Sequence, residues 1–319
     1  MAAAQKVGCD LKRLSYTAAI LLTAASALRA ETFYLTIAGL GGEQEYEQRF
    51  AGWASDLDKI FKSEPGAQVI TMSGPQATRT NIQAKLGDLA KQAKAEDHLV
   101  LLLIGHGSFD ESDYKFNIPG PDITATELAS LLDKIPAQQT VIDMTSASGG
   151  AIPILQKSKR VLITATKAGT EKNATVFPRY FIEGLRDPAA DADKNEVITA
   201  LEAFRYAEAK TAKFYEELKR LSTEHPLLED IGKGEGVKTP SVENGEGLLA
   251  GRFALLHTGS AVAMAKDPAK QKLLKEKEDL EEKIDELKYR KASMAVAEYR
   301  QELTKLLVDL AKTQEALDK

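Results

Sequence analysis

Apolar positions along this chain recur with two alternating periods. Thr32 to Ala38 (TFYLTIA) is a β-branched and aromatic run that ends in Gly39-Leu40-Gly41-Gly42 and predicts a buried strand. Residues 44–63 then place Phe50, Trp53, Leu57 and Phe61 at helical spacing. Gln68 to Met72 predicts a second strand, and residues 78–94 a second helix with Ile82, Leu86 and Leu89 on one face. His98 to Ile104 (HLVLLLI) is an unbroken apolar run, the mark of a parallel strand buried on both faces. Thr124-x-x-Glu127 is a capping-box pattern opening a short helix that carries Leu128, Leu131 and Leu132. Thr140 to Met144 and Arg160 to Ala165 are further strands, followed by helices at about 174–186 and 199–221. Strands alternating with helices predict an α/β fold, a doubly wound and mostly parallel sheet with helices on both faces. The stretch 222–250, rich in Gly, Glu and Pro, reads as a long loop, and 251–265 as a segment packing back on the domain.

From about residue 268 the period changes. Leu273, Leu280 and Leu287 are seven apart with Ile284 between the last two, and Leu303, Leu310 and Leu317 are seven apart with Leu306 in the alternate seam. The step of 16 residues from Leu287 to Leu303 breaks the heptad phase. The pattern predicts a coiled-coil helical hairpin over 268–319 that turns near Ser293–Val296, against one long bent helix. Such an element serves either as a docking or self-association arm or as an amphipathic closure of the domain.

The chain has 319 residues, 43% hydrophobic and 28% charged, with a formal charge of −5. No basic stripe stands out, so nucleic acid is not an expected partner. Lys6, Lys12 and Arg13 precede the uncharged run Ser15–Leu28, and Ala25-Ser26-Ala27 has the small-x-small form of a cleavage site. Residues 1–27 therefore read as a signal peptide, the run being short for a span of about 20 residues. The expectation is an exported protein, periplasmic or secreted, with no stable membrane span after cleavage and a main domain over 31–265. Cleavage would remove Asp10 and three basic residues, moving the formal charge from −5 to −7. It would also remove Cys9, the only cysteine, and with it any disulfide, thiolate metal site or thiol nucleophile.

In a doubly wound sheet ligands bind beyond the carboxyl ends of the strands. Two segments are placed there: Gly105-His106-Gly107 after 98–104, and Thr145-Ser146-Ala147-Ser148-Gly149-Gly150 after 140–144. If the strands are neighbours, His106 and the hydroxyls of Thr145, Ser146 and Ser148 can face one another. An imidazole beside a hydroxyl is the minimum for base-assisted attack, and the glycines let main-chain N–H groups approach an oxyanion. A lone Gly-His-Gly is also a common tight turn with a hydrogen-bonded imidazole.

On these residues the sequence resembles the caspase-like cysteine peptidases, especially the legumain-like branch. His106-Gly107 matches the family's His-Gly block and Ser148-Gly149 the end of its Cys-x-Ser-Gly block, which puts Ser146 at the cysteine position. The stretches FNIPGPDITATEL and ITATKAGTEKNATVFPRYF are similar to bacterial members, and the resemblance spans about residues 32–260, leaving the helical tail outside. It implies a caspase-like fold, a His106–Ser146 dyad position, an oxyanion site at the Gly107 and Ser146 main chain, and a groove that holds an extended peptide against a strand edge. Lys167, after the strand 160–165, is the residue it places at a specificity pocket. The departure is the nucleophile: a serine hydroxyl is far less acidic than a thiol, and the family dyad carries no obligatory acid to orient the histidine. The expected protein is thus an exported peptidase homologue, inactive as a cysteine peptidase, that binds peptide or protein and requires no cofactor. The alternatives are a hydrolase using Ser146 with His106 as base, and a structural component of a cell-envelope assembly.

Asp191-x-Asp193-x-Asn195-x-Val197-x-Thr199-x-x-Glu202 has the spacing of an EF-hand loop, with oxygen donors from Asp191, Asp193, Asn195, the Val197 carbonyl, Thr199 and Glu202. Glu196 stands where such loops have glycine, so the expectation is a calcium-loop candidate of weak affinity. Thr199-x-x-Glu202 also reads simply as a capping box. His225 falls in a surface loop before Gly232-x-Gly234-x-Gly236, and His98 and His257 lack metal-ligand companions at suitable spacing. The sequence has neither a phosphate-binding loop of the Gly-x-x-x-x-Gly-Lys type nor a dinucleotide fingerprint.

Overall fold

The run His98–Ile104 forms strand β3 of a six-stranded sheet and has a parallel neighbour on each side, β1 (Thr32–Ala38) and β7 (Gln138–Asp143). In the computed structural model, which describes residues 30–319, β2 (Ala67–Met72) lies outside β1, and β8 (Arg160–Thr164) outside β7. All five are parallel, and β10 (Leu227–Glu229) closes the β8 edge antiparallel. Residues Leu99 to Ile104 are all buried, and their side chains alternate between the two cores. Truncating one of these leucines to alanine costs about 2–5 kcal/mol.

Helices cover both faces. One core is built from α1 (Gln44–Phe61), α5 (Phe177–Gly184) and α6 (Ala200–Glu217), through Phe50, Leu57, Phe181 and Phe204. The other is built from α2 (Arg79–Gln92), α3 (Ala125–Leu132) and α4 (Ile152–Leu155), through Ile82, Leu86, Leu128 and Leu155. The fold is therefore the α/β, mostly parallel, three-layer arrangement that the alternation of periods predicts.

Three features correct or extend the sequence reading. After β3 the chain forms a small antiparallel meander, β4 (Gly107–Phe109), β5 (Tyr114–Phe116) and β6 (Ile123–Thr124), whose strands are too short to show a period. The stretch 222–250 is not loop throughout, since it contains β10 and the first residues of α7 (Leu248–Arg252). The cap of α3 is only half of a capping box: Thr124 accepts from the Glu127 N–H, but the Glu127 carboxylate goes to Arg79 and Gln83 of α2. A guanidinium on a neighbouring helix outbids a main-chain amide for that carboxylate. The other predicted box is complete, with Thr199 at the end of β9 (Val197–Thr199) and Glu202 bonded reciprocally at the start of α6.

The segment after α7 packs back as predicted. Strand β11 (Ala254–His257) pairs with β9, and α8 (Ala261–Lys266) leads into α9 (Pro268–Arg290). A turn over 291–295 returns the chain as α10 (Val296–Leu317), and the two helices pack together as a hairpin. Helix α9 is seated on the domain. Arg252 pairs with Glu282 and Glu286, His257 bridges Glu64 and Glu278, and Lys277 donates to the Asn195 carbonyl at 3.1 Å. Leu280, Ile284 and Leu287 of α9 are buried, whereas Leu307 and Val308 of α10 are exposed. The predicted signal peptide and Cys9 lie outside the described residues. Among the described residues no helix is long and apolar enough to cross a membrane.

Candidate functional site

The ends of β3 and β7 lie side by side, with Leu103 opposite Asp143, so the segments that follow the two strands are neighbours. What they form is a clasp between Gly107 and Ser146. The Gly107 N–H donates to Ser146 Oγ at 3.0 Å, and the same hydroxyl donates to the Gly107 carbonyl at 3.1 Å. Glycine is required here, because a Cβ on residue 107 would sit 2.3 Å from the Ser146 carbonyl oxygen and 2.5 Å from the Tyr114 ring. Ser146 is 2% exposed.

The His106 imidazole points elsewhere. It packs edge-on against Tyr46, with ring centroids 4.8 Å apart, and against Phe50 at 5.1 Å, both from α1. Burial pushes its pKa below the ordinary imidazole value, although a hydrogen bond with the Gly41 main chain and the charge of Glu43 pull the other way. Its own carbonyl accepts the Asn117 N–H at 3.0 Å. Neither partner of the Ser146 hydroxyl is this ring.

The neighbouring hydroxyls also have structural partners rather than the imidazole. Thr145 Oγ1 donates to Asp143 at 2.7 Å and lies 2.6 Å from the Tyr114 hydroxyl. Asp143 is buried, which pushes its carboxyl up to about 6, and its Oδ2 has no hydrogen-bond partner. Ser148 accepts the N–H groups of Ala165 and Thr166, both at 3.2 Å, which ties the Ser146 loop to the end of β8. Between the two serines, Ala147 adopts a left-handed conformation (φ 59°), and its N–H donates to the Glu171 carbonyl at 2.8 Å. Gly149 is pressed against the Lys167 main chain, where a Cβ would come within 2.2 Å.

Lys167 thus lies beside the Ser146 loop, exposed, with Nζ 3.9 Å from Glu171. Glu171 also pairs with the Nδ1 of His225 and accepts its N–H at 3.2 Å. His225 is therefore tied down rather than free in a surface loop, and no local sequence signal connects it to a carboxylate 54 residues away. Gly107, Ser146, Glu171, Lys167 and His225 are brought into one neighbourhood, with His106 on its α1 side.

The acidic loop is a second candidate. Carboxylate oxygens of Asp191, Asp193 and Glu202 lie within 4.8 Å of one another, a spacing that fits a cation with oxygen ligands. Lys194 and Glu196 take positive φ (64° and 67°), so the chain makes the sharp turns without glycine. The loop also satisfies itself. Asp191 accepts the N–H groups of Asn195 and Glu196, Asn195 Oδ1 accepts that of Val197, and Glu202 accepts those of Ala192 and Thr199. Burial, then the charges of Glu202 and Asp191, raise the Asp193 carboxyl. Helix α9 reaches this loop through Glu281, which accepts from Asn195 Nδ2 at 3.2 Å.

No family model matches the chain, and no curated protein matches it. Solved structures do. A protein of Geobacter sulfurreducens is 12% identical with a TM-score of 0.42, over 67% of this chain and 95% of its own. The Drosophila initiator caspase Dronc is 13% identical with a TM-score of 0.41, over 74% and 94%. Caspase-1 from Spodoptera frugiperda is 13% identical with a TM-score of 0.44, over 63% and 87%.

Proposed function

We propose that this protein is an exported caspase-like peptidase homologue that binds extended peptide or protein segments without cysteine-peptidase chemistry. The observation that carries the reading is the clasp. Ser146, at the family's nucleophile position, spends its hydroxyl on both main-chain groups of Gly107, while His106 is held by Tyr46, Phe50 and Gly41. A general base must reach the proton that it removes, within about 2.6–3.2 Å or through one water. The imidazole, the hydroxyl and the Gly107 amide here serve instead to brace the groove floor. Lys167 and the Glu171–His225 pair supply its charged rim, suited to acidic and hydrogen-bonding side chains of a bound segment.

The test is a peptide-library assay on the protein lacking residues 1–27, read for both cleavage and retention, beside Ser146→Ala and His106→Ala. The expected result is retention of peptides with no turnover in any of the three. Turnover by the native protein that both substitutions abolish would replace this reading with a serine hydrolase. Lys167→Ala is expected to weaken acidic peptides selectively.

The acidic loop is proposed to take calcium weakly, through Asp191, Asp193, Asn195, the Val197 carbonyl, Thr199 and Glu202. The convergence of three carboxylates supports this, and the hydrogen bonds that already occupy them account for the low affinity.

A further inference from the structure

Three carboxyl side chains lie buried close together in the sequence on either side of the irregular stretch after β10: Glu229, Asp230 and Glu246, at 0%, 4% and 2% exposure. Each is built into the main chain. Glu229 takes the Lys233 N–H at 2.7 Å, and its other oxygen is buried without a partner. Asp230 takes the N–H groups of Gly247 and Ala250, both at 2.9 Å, and so holds the start of α7. Glu246 takes the Asp230 N–H at 2.8 Å, and its carboxyl is within hydrogen-bonding reach of the Asp230 carboxyl.

Among the described residues none of these three carboxylates has an ion pair with a basic side chain. The leading charges on Glu246 are those of Asp230 and Glu229, both acids. The nearby basic side chain, Arg205 of α6, donates to the Pro240 carbonyl. From α9, the Tyr289 hydroxyl donates to the Glu246 carbonyl at 2.8 Å, and that hydroxyl feels the charges of Asp230, Arg205 and Asp285. Two adjacent buried carboxylates repel each other, and a proton on Glu246 relieves that repulsion by bonding it to the Asp230 carboxylate.

We propose that Asp230 and Glu246 form a proton-dependent latch: sharing one proton they keep segment 230–250 closed and seat the Tyr289 end of α9, and loss of that proton loosens both. The geometry makes the two effects one. Residues 246–252 are the surface on which α9 sits, through Tyr289 on the Glu246 carbonyl and through Arg252 on Glu282 and Glu286. Burial first, and then the bond to Asp230, push the Glu246 carboxyl up to about 8. A folded value above the unfolded one means the contribution is complete in acid and is lost as pH rises through about 8. The middle of α9 is held separately, by His257 on Glu278.

The test is hydrogen–deuterium exchange at pH 6.5 and pH 9, corrected for the intrinsic rate, on the native protein and Glu246→Gln. The amide cannot ionise but keeps the shape. In the native protein, protection of residues 244–252 and of α9 around Tyr289 is expected to fall at least about tenfold at the higher pH, the equivalent of about one pKa unit. In Glu246→Gln it is expected to fall by less than about threefold, that is, by under half a unit. Protection that is unchanged with pH in the native protein, or that falls equally in the variant, overturns the latch. Should the variant fail to fold, the carboxyl carbon of Glu246 in the labelled native protein decides: a midpoint above pH 7 supports the latch, and one in the ordinary carboxylate range rejects it.

Discussion

Ser146 and Gly107 hold each other by two hydrogen bonds across 39 residues of sequence, the hydroxyl donating to the glycine carbonyl and accepting from its amide. One oxygen thereby satisfies two main-chain groups at the mouth of the sheet, where β3 has ended and the meander has begun. Removing it leaves a buried amide without its partner, which costs about 1–3 kcal/mol. Ser146→Ala is accordingly expected to lower the melting temperature while leaving peptide retention in place. A variant with native stability would show that the clasp does not brace the site.

His106 should make the protein sensitive to acid. Burial depresses its pKa below the usual imidazole value, so the unfolded chain binds the proton first. The stabilisation that it supplies is complete above about pH 6.5 and is lost as pH falls towards the folded value. His106→Phe, which keeps the edge-on packing against Tyr46 and Phe50, is expected to flatten this part of the stability profile in denaturant titrations at pH 5 and 7.

His257 should act in the opposite sense. Burial opposes its charge, but hydrogen bonds to Glu278 and Glu64 outweigh that and raise its pKa to about 9. Both ring nitrogens face carboxylates, at 2.6 and 2.9 Å, so the ring is doubly protonated. Its contribution is full below about pH 6.5 and is lost as pH rises through about 9. His257→Ala leaves the buried Glu64 short of its partner and is expected to cost about 3 kcal/mol at pH 7, with faster hydrogen exchange in the first half of α9.

Calorimetric titration of calcium is expected to give a dissociation constant of about 10⁻⁴–10⁻³ M, the range of a loop with imperfect ligands. Asp193→Asn should abolish the heat, since Asp193 is exposed and accepts only the Asn195 N–H within the loop. No heat in the native protein would remove the site.

The sequence alone determined the elements that repeat. The runs Thr32–Ala38 and His98–Ile104 match β1 and β3, because an unbroken apolar stretch of that length is buried on both faces wherever it lies. The leucine spacing of the tail likewise marked the helical hairpin, and the Thr199–Glu202 box marked the start of α6. These signals are local: period, cap and turn chemistry act within a few residues.

Only the tertiary structure decided how the polar side chains are spent. The His106 and Ser146 motifs could be placed at adjacent strand ends, but not the directions of the ring and the hydroxyl, which depend on Tyr46 and Phe50 from α1 and on the main chain of Gly107. Glu127 was legible as a cap and is instead drawn to Arg79. Glu171 with His225, Glu64 with His257, and Asp230 with Glu246 each join residues far enough apart that no periodicity connects them. A buried polar group takes whichever partner the packed chain brings within about 3 Å, and that is set by how the layers fold over one another rather than by the neighbours in sequence.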